Sequence, residues 1–340
     1  MRIGIDCRAV ATDWAGMHTY VSQLVRGLRA LGTDEIVPLE GVGDAAYRML
    51  KLGVRGVEKH VGDVDVFHTP TFWPLKQKRG AGVATIADVT PLVEPAWHTA
   101  RRVFTFRRIL PRMLKRARRI IAISEATKRD VVRFYGIEPE RVDVTLLAAS
   151  PRFRPHTEAE AKPALAKHGL EWRGYVLCTG TIEPRKNVGR LVEAHARAGG
   201  PPLVLVGKPG WKSGPILKRI AEARDVRMLG FVGADDLPAI VAGAALFVYP
   251  SLYEGFGLPP LEAMQSGVPV VSSNASSLPE VVGDAAITVD PTDVDALADG
   301  MKRALGDGRL REAGLARAAK FSWERTAKAT LESYRRAMNA

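Results

Sequence analysis

Residues 249–269 read Tyr-Pro-Ser-Leu-Tyr-Glu-Gly-Phe-Gly-Leu-Pro-Pro-Leu-Glu-Ala-Met-Gln-Ser-Gly-Val-Pro, and this stretch carries most of the prediction. The apolar run before it, at 244–248, is typical of a buried parallel strand. Pro259 and Pro260 suit the entry and first turn of a helix, where a missing N–H costs little. A strand, a loop and a helix in this order predict an α/β fold with free helix amides at the carboxyl end of the strand. Phosphate groups bind at such places.

Two carboxylates flank this predicted phosphate site. Glu254 falls in the loop and Glu262 in the predicted first helical turn, while Gly255 and Gly257 leave room for a ligand to approach the backbone. Neither carboxylate is suited to contact a phosphate, but both are suited to accept hydrogen bonds from sugar hydroxyls on either side of it. The pattern therefore predicts a ligand that joins a sugar, a diphosphate and a ribose.

The composition is that of a globular protein with room for two domains. The chain has 340 residues, of which 46% are apolar and 25% charged. Cys7 and Cys178 lie too far apart in the sequence to suggest a disulfide framework or a thiolate metal site. The N-terminus is too short and charged for a signal peptide, and no apolar run approaches the roughly 20 residues of a membrane span. We expect a cytoplasmic protein.

Strand-like and helix-like segments alternate along the whole chain, which favours parallel sheets covered by helices. Helices are expected near 17–31, 98–117, 124–135 and 323–338, with others between the later strands. Strands are expected near 2–6, 35–40, 64–67, 83–86, 119–123, 142–147, 174–178, 202–206, 226–229, 245–249, 269–272 and 286–289. A proline-containing segment at 149–173 reads as a linker. We expect two doubly wound domains, 1–160 and 161–322, facing each other across a cleft.

The net charge of +12 indicates an anionic partner. Residues 101–119 contain nine Arg or Lys and no acid, interleaved with apolar and aromatic residues. Such a helix can lie on an anionic membrane surface, or it can pack its apolar face on the core and leave a cationic face in solvent. No recognition motif accompanies the charge, so we expect no nucleic-acid partner.

A second motif, Gly180-Thr-Ile-Glu-Pro-Arg-Lys-Asn187, follows the strand near 174–178. Asn187 is a plausible helix N-cap, and Gly180 gives the backbone room. Arg185 and Lys186 lie at a helix start, where cations interact unfavourably with the helix dipole. Their presence there therefore indicates a functional role. Two fixed cations can stabilise a departing diphosphate without a metal.

Two softer candidates follow the next strands of the second half. Lys208 comes after Val206-Gly207 and is a further candidate phosphate contact, although Gly-Lys is also a common turn. Gly230 and Phe231 follow the strand near 226–229, where they either offer backbone groups to a nucleobase or form a plain loop.

These motifs, together with Phe-Ser-Trp-Glu-Arg-Thr at 321–326, resemble the family 4 retaining glycosyltransferases of GT-B fold. The resemblance implies that Arg185 and Lys186 bind the donor diphosphate and that Glu262 binds the ribose. It also implies that Glu254 and the backbone at 256–258 (Phe256, Gly257 and Leu258) hold the transferred sugar, and that the C-terminal helix, 323–340, packs back on the first domain.

The first half departs from the family pattern. Members of the family usually have a glycine-rich loop after the first strand. In this chain the corresponding segment is Trp14-Ala-Gly-Met-His-Thr-Tyr20, in which only Gly16 matches that loop. Relatives commonly carry His-Asp where this chain has Ala87-Asp88. Asp88 is therefore a candidate contact to the acceptor or the sugar, or a turn-forming residue.

Two histidines, His18 and His68, are further candidates on the acceptor side, and Ser124 is most simply a helix N-cap. The resemblance implies that the leaving phosphate oxygen takes the acceptor proton, so that a missing histidine need not abolish transfer.

We expect transfer of a hexose, mannose in the first instance, from a GDP- or UDP-linked donor to a glycan or lipid-linked acceptor, without a metal or another cofactor. Asp63-Val-Asp65 and Asp293-Val-Asp295 superficially match a metal-binding Asp-x-Asp, but they flank a strand and start a helix. The alternatives are a nucleotide-sugar epimerase or phosphorylase on the same scaffold, or a non-catalytic binding protein.

Overall fold

The computed structural model describes residues 1–11, 15–71 and 75–340, and the chain divides into two compact units. One comprises Met1–Leu147 together with Ser322–Ala340, and the other comprises Ala148–Phe321. Trp14 of the predicted N-terminal loop lies outside the described residues.

The N-terminal unit contains a six-stranded, fully parallel sheet of order β2-β1-β3-β4-β5-β6. Its elements before residue 147 are β1 (Arg2–Asp6), α1 (Ala15–Leu31), β2 (Glu35–Leu39), α2 (Asp44–Leu52), α3 (Glu58–Val61), β3 (Val66–Thr69), β4 (Ala81–Ile86), α4 (Thr90–Val93), α5 (Ala100–Phe104), α6 (Leu110–Leu114), β5 (Arg119–Ala122), α7 (Glu125–Tyr135) and β6 (Val142–Val144).

The second unit contains another six-stranded parallel sheet, of order β12-β11-β10-β7-β8-β9. Its elements are α8 (Glu158–Lys167), β7 (Val176–Thr179), α9 (Val188–Ala198), β8 (Leu203–Val206), α10 (Gly214–Glu222), β9 (Val226–Gly230), α11 (Leu237–Ala242), β10 (Leu246–Tyr249), α12 (Leu258–Gln265), β11 (Val270–Ser273), α13 (Leu278–Val282), β12 (Ile287–Val289), α14 (Val294–Ala304) and α15 (Gly308–Ala318). All twelve predicted strands are present.

The last helix, α16 (Trp323–Asn339), belongs to the N-terminal unit. It begins where the Ser322 hydroxyl accepts the Arg325 amide, and its apolar face packs on α1. At Gly27 of α1 an added Cβ would lie 3.1 Å from the Trp323 carbonyl oxygen, so the two helices approach closely because that side chain is absent. Asp143, in β6, fixes the far end of α16 by accepting hydrogen bonds from Ser333 and Arg336.

The predicted helix at 98–117 is interrupted. α5 is followed by a π-helical turn at Thr105–Ile109 and then by α6. Pro111 explains the interruption, because it has no N–H to donate and its ring crowds the carbonyl four residues earlier, that of Arg107. The apolar side of the segment, including Phe106 and Leu110, packs into the core, while the basic side chains at 101–118 are exposed.

The predicted linker at 149–173 is not irregular throughout, because it contains α8. Thr157 and Glu160 form a reciprocal capping box in which each side chain accepts the other residue's backbone N–H. This local signal starts the helix, although Pro163 stands inside it.

Candidate functional site

The second sheet places two motif-bearing loops side by side. In the order β12-β11-β10-β7-β8-β9 all strands are parallel, but successive strands are added to one side of β7 and then to the other side, beginning with β10, its hydrogen-bonded neighbour. The loop after β7 carries the Gly180–Asn187 motif, and the loop after β10 carries Glu254. The carboxyl ends of strands at such a reversal of strand order form the usual ligand crevice of an open α/β sheet.

Arg185 is held between two carboxylates. It lies in a 3-10 turn, Pro184–Lys186, and its Nε and Nη2 lie 3.0 and 2.7 Å from Oε1 of Glu183. Its Nη1 lies 2.7 Å from Oε2 of Glu254 and donates to the Tyr253 carbonyl at 2.8 Å. The guanidinium therefore ties the loop after β7 to the loop after β10.

Lys186 meets the other oxygen of the same carboxylate. Its Nζ lies 2.6 Å from Oε1 of Glu254 and donates to the hydroxyl of Tyr249, whose ring centroid lies 4.9 Å away. Burial lowers the pKa of Lys186, and Glu254 opposes that effect. Burial raises the pKa of Glu254, but Arg185 and Lys186 outweigh it and hold this pKa at about 2. The carboxylate is therefore ionised at neutral pH.

Glu254 differs from the prediction of a carboxylate that is open to sugar hydroxyls. Its Oε1 also accepts hydrogen bonds from Ser251 at 2.6 Å and Tyr249 at 3.0 Å, and its side chain is buried. Both of its oxygens are thus engaged by the protein itself. It organises the two cations, a role that its position in the sequence did not reveal.

Glu262 has a different environment. It is the fifth residue of α12 and not part of the first turn, since the helix begins at Leu258. The carboxylate is half-buried, and no described side chain pairs with it. Burial raises the pKa of Glu262 to about 7. A half-buried acceptor without a partner is suited to bind a hydroxyl group of a ligand.

The start of α12 offers fewer amides than predicted. Pro259 and Pro260 occupy its second and third positions and have no N–H, so Leu258 provides the first helical amide. Gly257 has φ 125°, and an added Cβ would lie 2.8 Å from Leu278. Gly255 is half-buried, whereas the buried Phe256 ring packs on Phe321 at 6.0 Å. The loop at 255–258 therefore packs against α13 and the Phe321 ring.

Serines that the sequence analysis did not single out fix this loop. The Ser276 hydroxyl accepts the Glu254 amide at 2.8 Å, and the Ser277 hydroxyl lies 2.9 and 2.6 Å from the carbonyl oxygens of Glu254 and Phe256. Both serines come from the loop between β11 and α13. They follow the last β11 residue as Asn-Ala-Ser-Ser, a turn-like composition that was the only available signal.

Asn187 is not a side-chain cap. It stands at the N-cap position of α9 in the left-handed conformation, and its Nδ2 donates to the carbonyls of Pro250 and Pro291. The predicted position is correct, but the side chain joins three loops and leaves the helix amides alone.

Glycines allow the loops after β7 and β8 to touch. An added Cβ on Gly207 would lie 1.9 Å from the Gly180 carbonyl oxygen, so no larger residue fits there. Gly180 itself has φ 133°, and an added Cβ would lie 3.5 Å from the Lys186 side chain.

Gly230, the last residue of β9, has φ 71°, and the next residue, Phe231, is 68% exposed. Lys208 Nζ lies 4.5 Å from the Phe231 ring centroid, so these two softer candidates form one cation–π pair.

The acceptor-side candidates of the N-terminal unit differ in their exposure and hydrogen bonding. Gly16 and His18 are exposed at the start of α1. Asp88 is half-buried, and its Oδ1 accepts the Thr90 amide at 2.9 Å and the Thr90 hydroxyl, which is the turn-forming role. Ser124 caps α7 by accepting the Thr127 amide, as predicted.

His68 is a core residue and not a contact open to an acceptor. It is fully buried, with Nε2 2.8 Å from the Thr85 hydroxyl and Nδ1 2.7 Å from the Tyr334 hydroxyl. Burial lowers its pKa to about 3, so the imidazole is neutral. Its partner Tyr334 lies on α16 at the far end of the chain, so the residues around His68 in the sequence do not indicate this contact.

Within the described ranges, no group of three or more His, Cys, Asp or Glu side chains is arranged to hold a metal ion. The two Asp-x-Asp sequences have other roles: Asp63 pairs with Arg79, Asp293 caps α14 and Asp295 pairs with Arg197. No described helix is both long and apolar enough to cross a bilayer.

Two family profiles match the chain on either side of the unit boundary. The one described as Glycosyltransferase Family 4 matches residues 43–145, and the one described as Glycosyl transferases group 1 matches residues 164–321. O-antigen chain mannosyltransferase B of Escherichia coli is 39% identical over 282 residues, which are 79% of this chain and 74% of that protein. The chain belongs to the family 4 glycosyltransferases.

A second relative of this glycosyltransferase is the MMP alpha-(1->4)-mannosyltransferase of Mycolicibacterium hassiacum. It is 30% identical over 312 residues, which are 82% of this chain and 72% of that protein. The predictions of the family and of a glycosyltransferase activity are therefore confirmed.

HepE from Anabaena, crystallised in complex with UDP and glucose, has the same fold with a TM-score of 0.76 and 18% sequence identity. The match covers 97% of this glycosyltransferase and 98% of HepE. At this identity the likeness concerns the fold alone. With the two parallel six-stranded sheets, it confirms the predicted GT-B class.

Proposed function

We propose that this glycosyltransferase transfers a mannosyl unit, with retention of configuration, from a nucleoside diphosphate sugar to a glycan or lipid-linked acceptor. The observation that carries the proposal is the pair of cations, Arg185 and Lys186, that the loops after β7 and β10 hold at the reversal point of the sheet. Mannose is favoured because two of the similar proteins are named mannosyltransferases.

On the donor side, Arg185 and Lys186 bind the diphosphate and stabilise the charge that develops as it leaves. Glu262 accepts hydrogen bonds from the ribose hydroxyls, the backbone at 255–258 binds the sugar, and Glu254 holds the two cations in place. Gly230 and Phe231 lie on the nucleobase side. The nucleotide is GDP or UDP. UDP is the nucleotide in the HepE complex.

The chemistry breaks the bond between the anomeric carbon and the diphosphate oxygen and forms one from that carbon to the acceptor oxygen. The acceptor hydroxyl loses its proton to the departing phosphate oxygen on the same face of the sugar. The two fixed cations stabilise that leaving group, so that we propose a reaction without a metal ion or another cofactor.

Isothermal titration calorimetry and turnover of the Arg185→Ala and Lys186→Ala variants test the cation roles. We expect each variant to bind GDP or UDP at least tenfold more weakly, since a charge-assisted hydrogen bond contributes about 1.5–3 kcal/mol. Lys218→Ala is the control, because that exposed lysine on α10 pairs only weakly with Glu222 at 3.9 Å. Unchanged rate and affinity in both variants would refute the phosphate role.

A product assay separates the alternatives, which the mannosyltransferase relatives do not favour. An epimerase converts the nucleotide sugar without an acceptor, and a phosphorylase requires inorganic phosphate. A non-catalytic binding protein shows no donor turnover above background with any acceptor. Acceptor-dependent release of the nucleoside diphosphate would support transfer.

We also propose that the N-terminal unit docks on an anionic membrane surface at the inner face of the membrane, which places the protein in the cytoplasm. Among the described residues, the exposed Arg101, Arg102, Arg107 and Arg108 form no ion pair. Beside them, Phe104 is 60% exposed and borders an open hollow of about 590 Å³. Cations next to an exposed apolar ring suit an anionic lipid surface.

Sedimentation with vesicles tests the docking surface. We expect binding to vesicles that contain an anionic lipid, less binding to neutral ones, and loss of binding in Arg107→Glu/Arg108→Glu. Lys302→Glu/Arg303→Glu on α14, which reverses two exposed cations, is the control for total charge. Equal binding of all proteins, or none to anionic vesicles, would contradict the proposal.

A further inference from the structure

Glu183 is a buried carboxylate that the donor-site roles above do not use. Its residue is 1% exposed and lies between β7 and the turn that carries Arg185. Oε1 is the atom that faces the Arg185 guanidinium, at 3.0 Å from Nε and 2.7 Å from Nη2. Oε2 is buried, and no described atom is its hydrogen-bond partner.

Burying the Glu183 carboxylate destabilises the fold. Removing a charge from water costs several kcal/mol unless its partners compensate, and here one oxygen lacks a partner within the described chain. The surrounding loops leave little freedom, because Ile182 exchanges backbone hydrogen bonds with Lys208 and Gly210. An added Cβ on Gly210 would lie 2.5 Å from Thr181. A residue that served packing alone would be apolar at this position.

The geometry of Arg185 indicates what the carboxylate does. Glu183 holds the Nε–Nη2 edge of the guanidinium, whereas Glu254 and the Tyr253 carbonyl hold Nη1. A diphosphate that binds Arg185 competes with Glu254, the carboxylate on the loop after β10. Glu183 lies on the same loop as Arg185 and can keep its hold on the other edge during that exchange.

We propose that Glu183 is a positioning residue that fixes the Arg185 guanidinium for the donor diphosphate. The inference rests on the proposed function, since it assigns to Arg185 the diphosphate contact. With Arg185, Lys186, Glu183 and Glu254, the cluster carries two positive and two negative charges. The negative charge of Glu183 therefore weakens the attraction of the cluster for the diphosphate, while its hydrogen bonds fix the orientation of the Arg185 guanidinium.

The charge of Glu183 and its orienting role have opposite effects on diphosphate affinity, so calorimetry can separate them. The measurement compares the binding of GDP and UDP with the binding of guanosine and uridine. We expect Glu183→Ala to weaken binding of the preferred diphosphate at least tenfold and of its nucleoside less than twofold. Glu183→Gln keeps one acceptor oxygen and should show an intermediate loss. If Glu183 acted only through its charge, both variants would bind the diphosphate more tightly, and that result would overturn the proposal.

A double-mutant cycle shows whether the effect passes through Arg185. Adding Glu183→Ala to Arg185→Ala should change diphosphate affinity less than twofold. A full tenfold loss in that background would overturn the positioning role. Glu193→Ala, which removes an exposed carboxylate of α9 that pairs with Arg197, is the matched control and should bind normally.

The two levels of the proposal fail in different ways. Wild-type protein that binds neither diphosphate would refute the proposed function. Wild-type binding with an unaffected Glu183→Ala variant would refute the positioning role alone. Melting temperatures of all variants identify unfolding, and Glu183→Gln, which preserves the shape of the side chain, tests the proposal if the alanine variant does not fold.

Discussion

Replacing Glu262 with glutamine should stabilise the ligand-free protein and at the same time weaken its binding of the donor. The carboxylate is half-buried without a described partner, and burial raises its pKa to about 7 from an ordinary 4.5. Because the folded state holds this proton more tightly than the unfolded chain, stability decreases as the pH rises from about 4.5 to about 7. The full penalty is present above pH 7.

The size of the penalty follows from the two pKa values. At pH 8 it amounts to about 3 kcal/mol, and at pH 5.5 to about 1.4 kcal/mol, because the penalty grows by about 1.4 kcal/mol for each pH unit between the unfolded and the folded pKa. Glutamine has no charge to desolvate. The variant should therefore gain up to about 3 kcal/mol at pH 8 and about half as much at pH 5.5.

Urea unfolding of the wild type and Glu262→Gln at both pH values measures this difference. Glu312→Gln, which changes an exposed carboxylate on α15, is the control and should show no pH-dependent gain. A Glu262→Gln variant that is equally stable at both pH values relative to the wild type would refute the buried-charge argument.

The same variant tests the ribose role. The wild type should bind the donor nucleotide more tightly as the pH rises through about 7, because the ionised carboxylate is the stronger acceptor. In Glu262→Gln this pH dependence should disappear and the affinity at pH 8 should fall about tenfold or more. An affinity at pH 8 equal to that of the wild type would refute the assignment.

Three further substitutions test the architecture. Tyr334→Phe removes the hydroxyl that pairs with His68 and should cost about 1–3 kcal/mol in urea unfolding; nucleotide affinity should not change, and a change would contradict a purely structural role. Gly207→Ala places a Cβ 1.9 Å from a carbonyl oxygen and should lower the free energy of unfolding by more than about 2 kcal/mol. Gly233→Ala, with open space around it, should lower it little, and equal losses in the two variants would contradict the close approach. Thr157→Ala removes the capping box of α8 and should cost about 1 kcal/mol, and an unchanged urea midpoint would contradict its contribution.

The sequence predicted the elements of the fold well because their signals are local. Most of the twelve strands contain an apolar run of a few residues, and the cap of α7 at Ser124 is visible in four consecutive letters. The helix at 98–117 was predicted as continuous, since the periodicity of its apolar face continues through Pro111. The proline changes the backbone pattern and leaves the buried face intact.

Predictions about contacts failed where the partner lies far away in the chain. His68 comes after the strand predicted near 64–67, but it lies inside β3, is separated from Tyr334 by 266 positions and forms part of a buried network. Glu254 was expected to be open to sugar hydroxyls, but Arg185 and Lys186 reach it across almost 70 positions. No local sequence pattern indicates that His68 contacts Tyr334 or that Glu254 contacts the two cations.

From the sequence alone follow the family, the strands and helices, and the residue types that a nucleotide sugar requires. Apolar periodicity, capping residues and motif spacing act within a few residues of one another, so they can be recognised without knowing the fold. The tertiary structure decided that β10 lies beside β7, which brings Glu254 to Arg185 and Lys186 and so pairs these three charges. Strand order and desolvation depend on the packing of the whole unit, and for that physical reason only the folded chain determined the environment of each charged group.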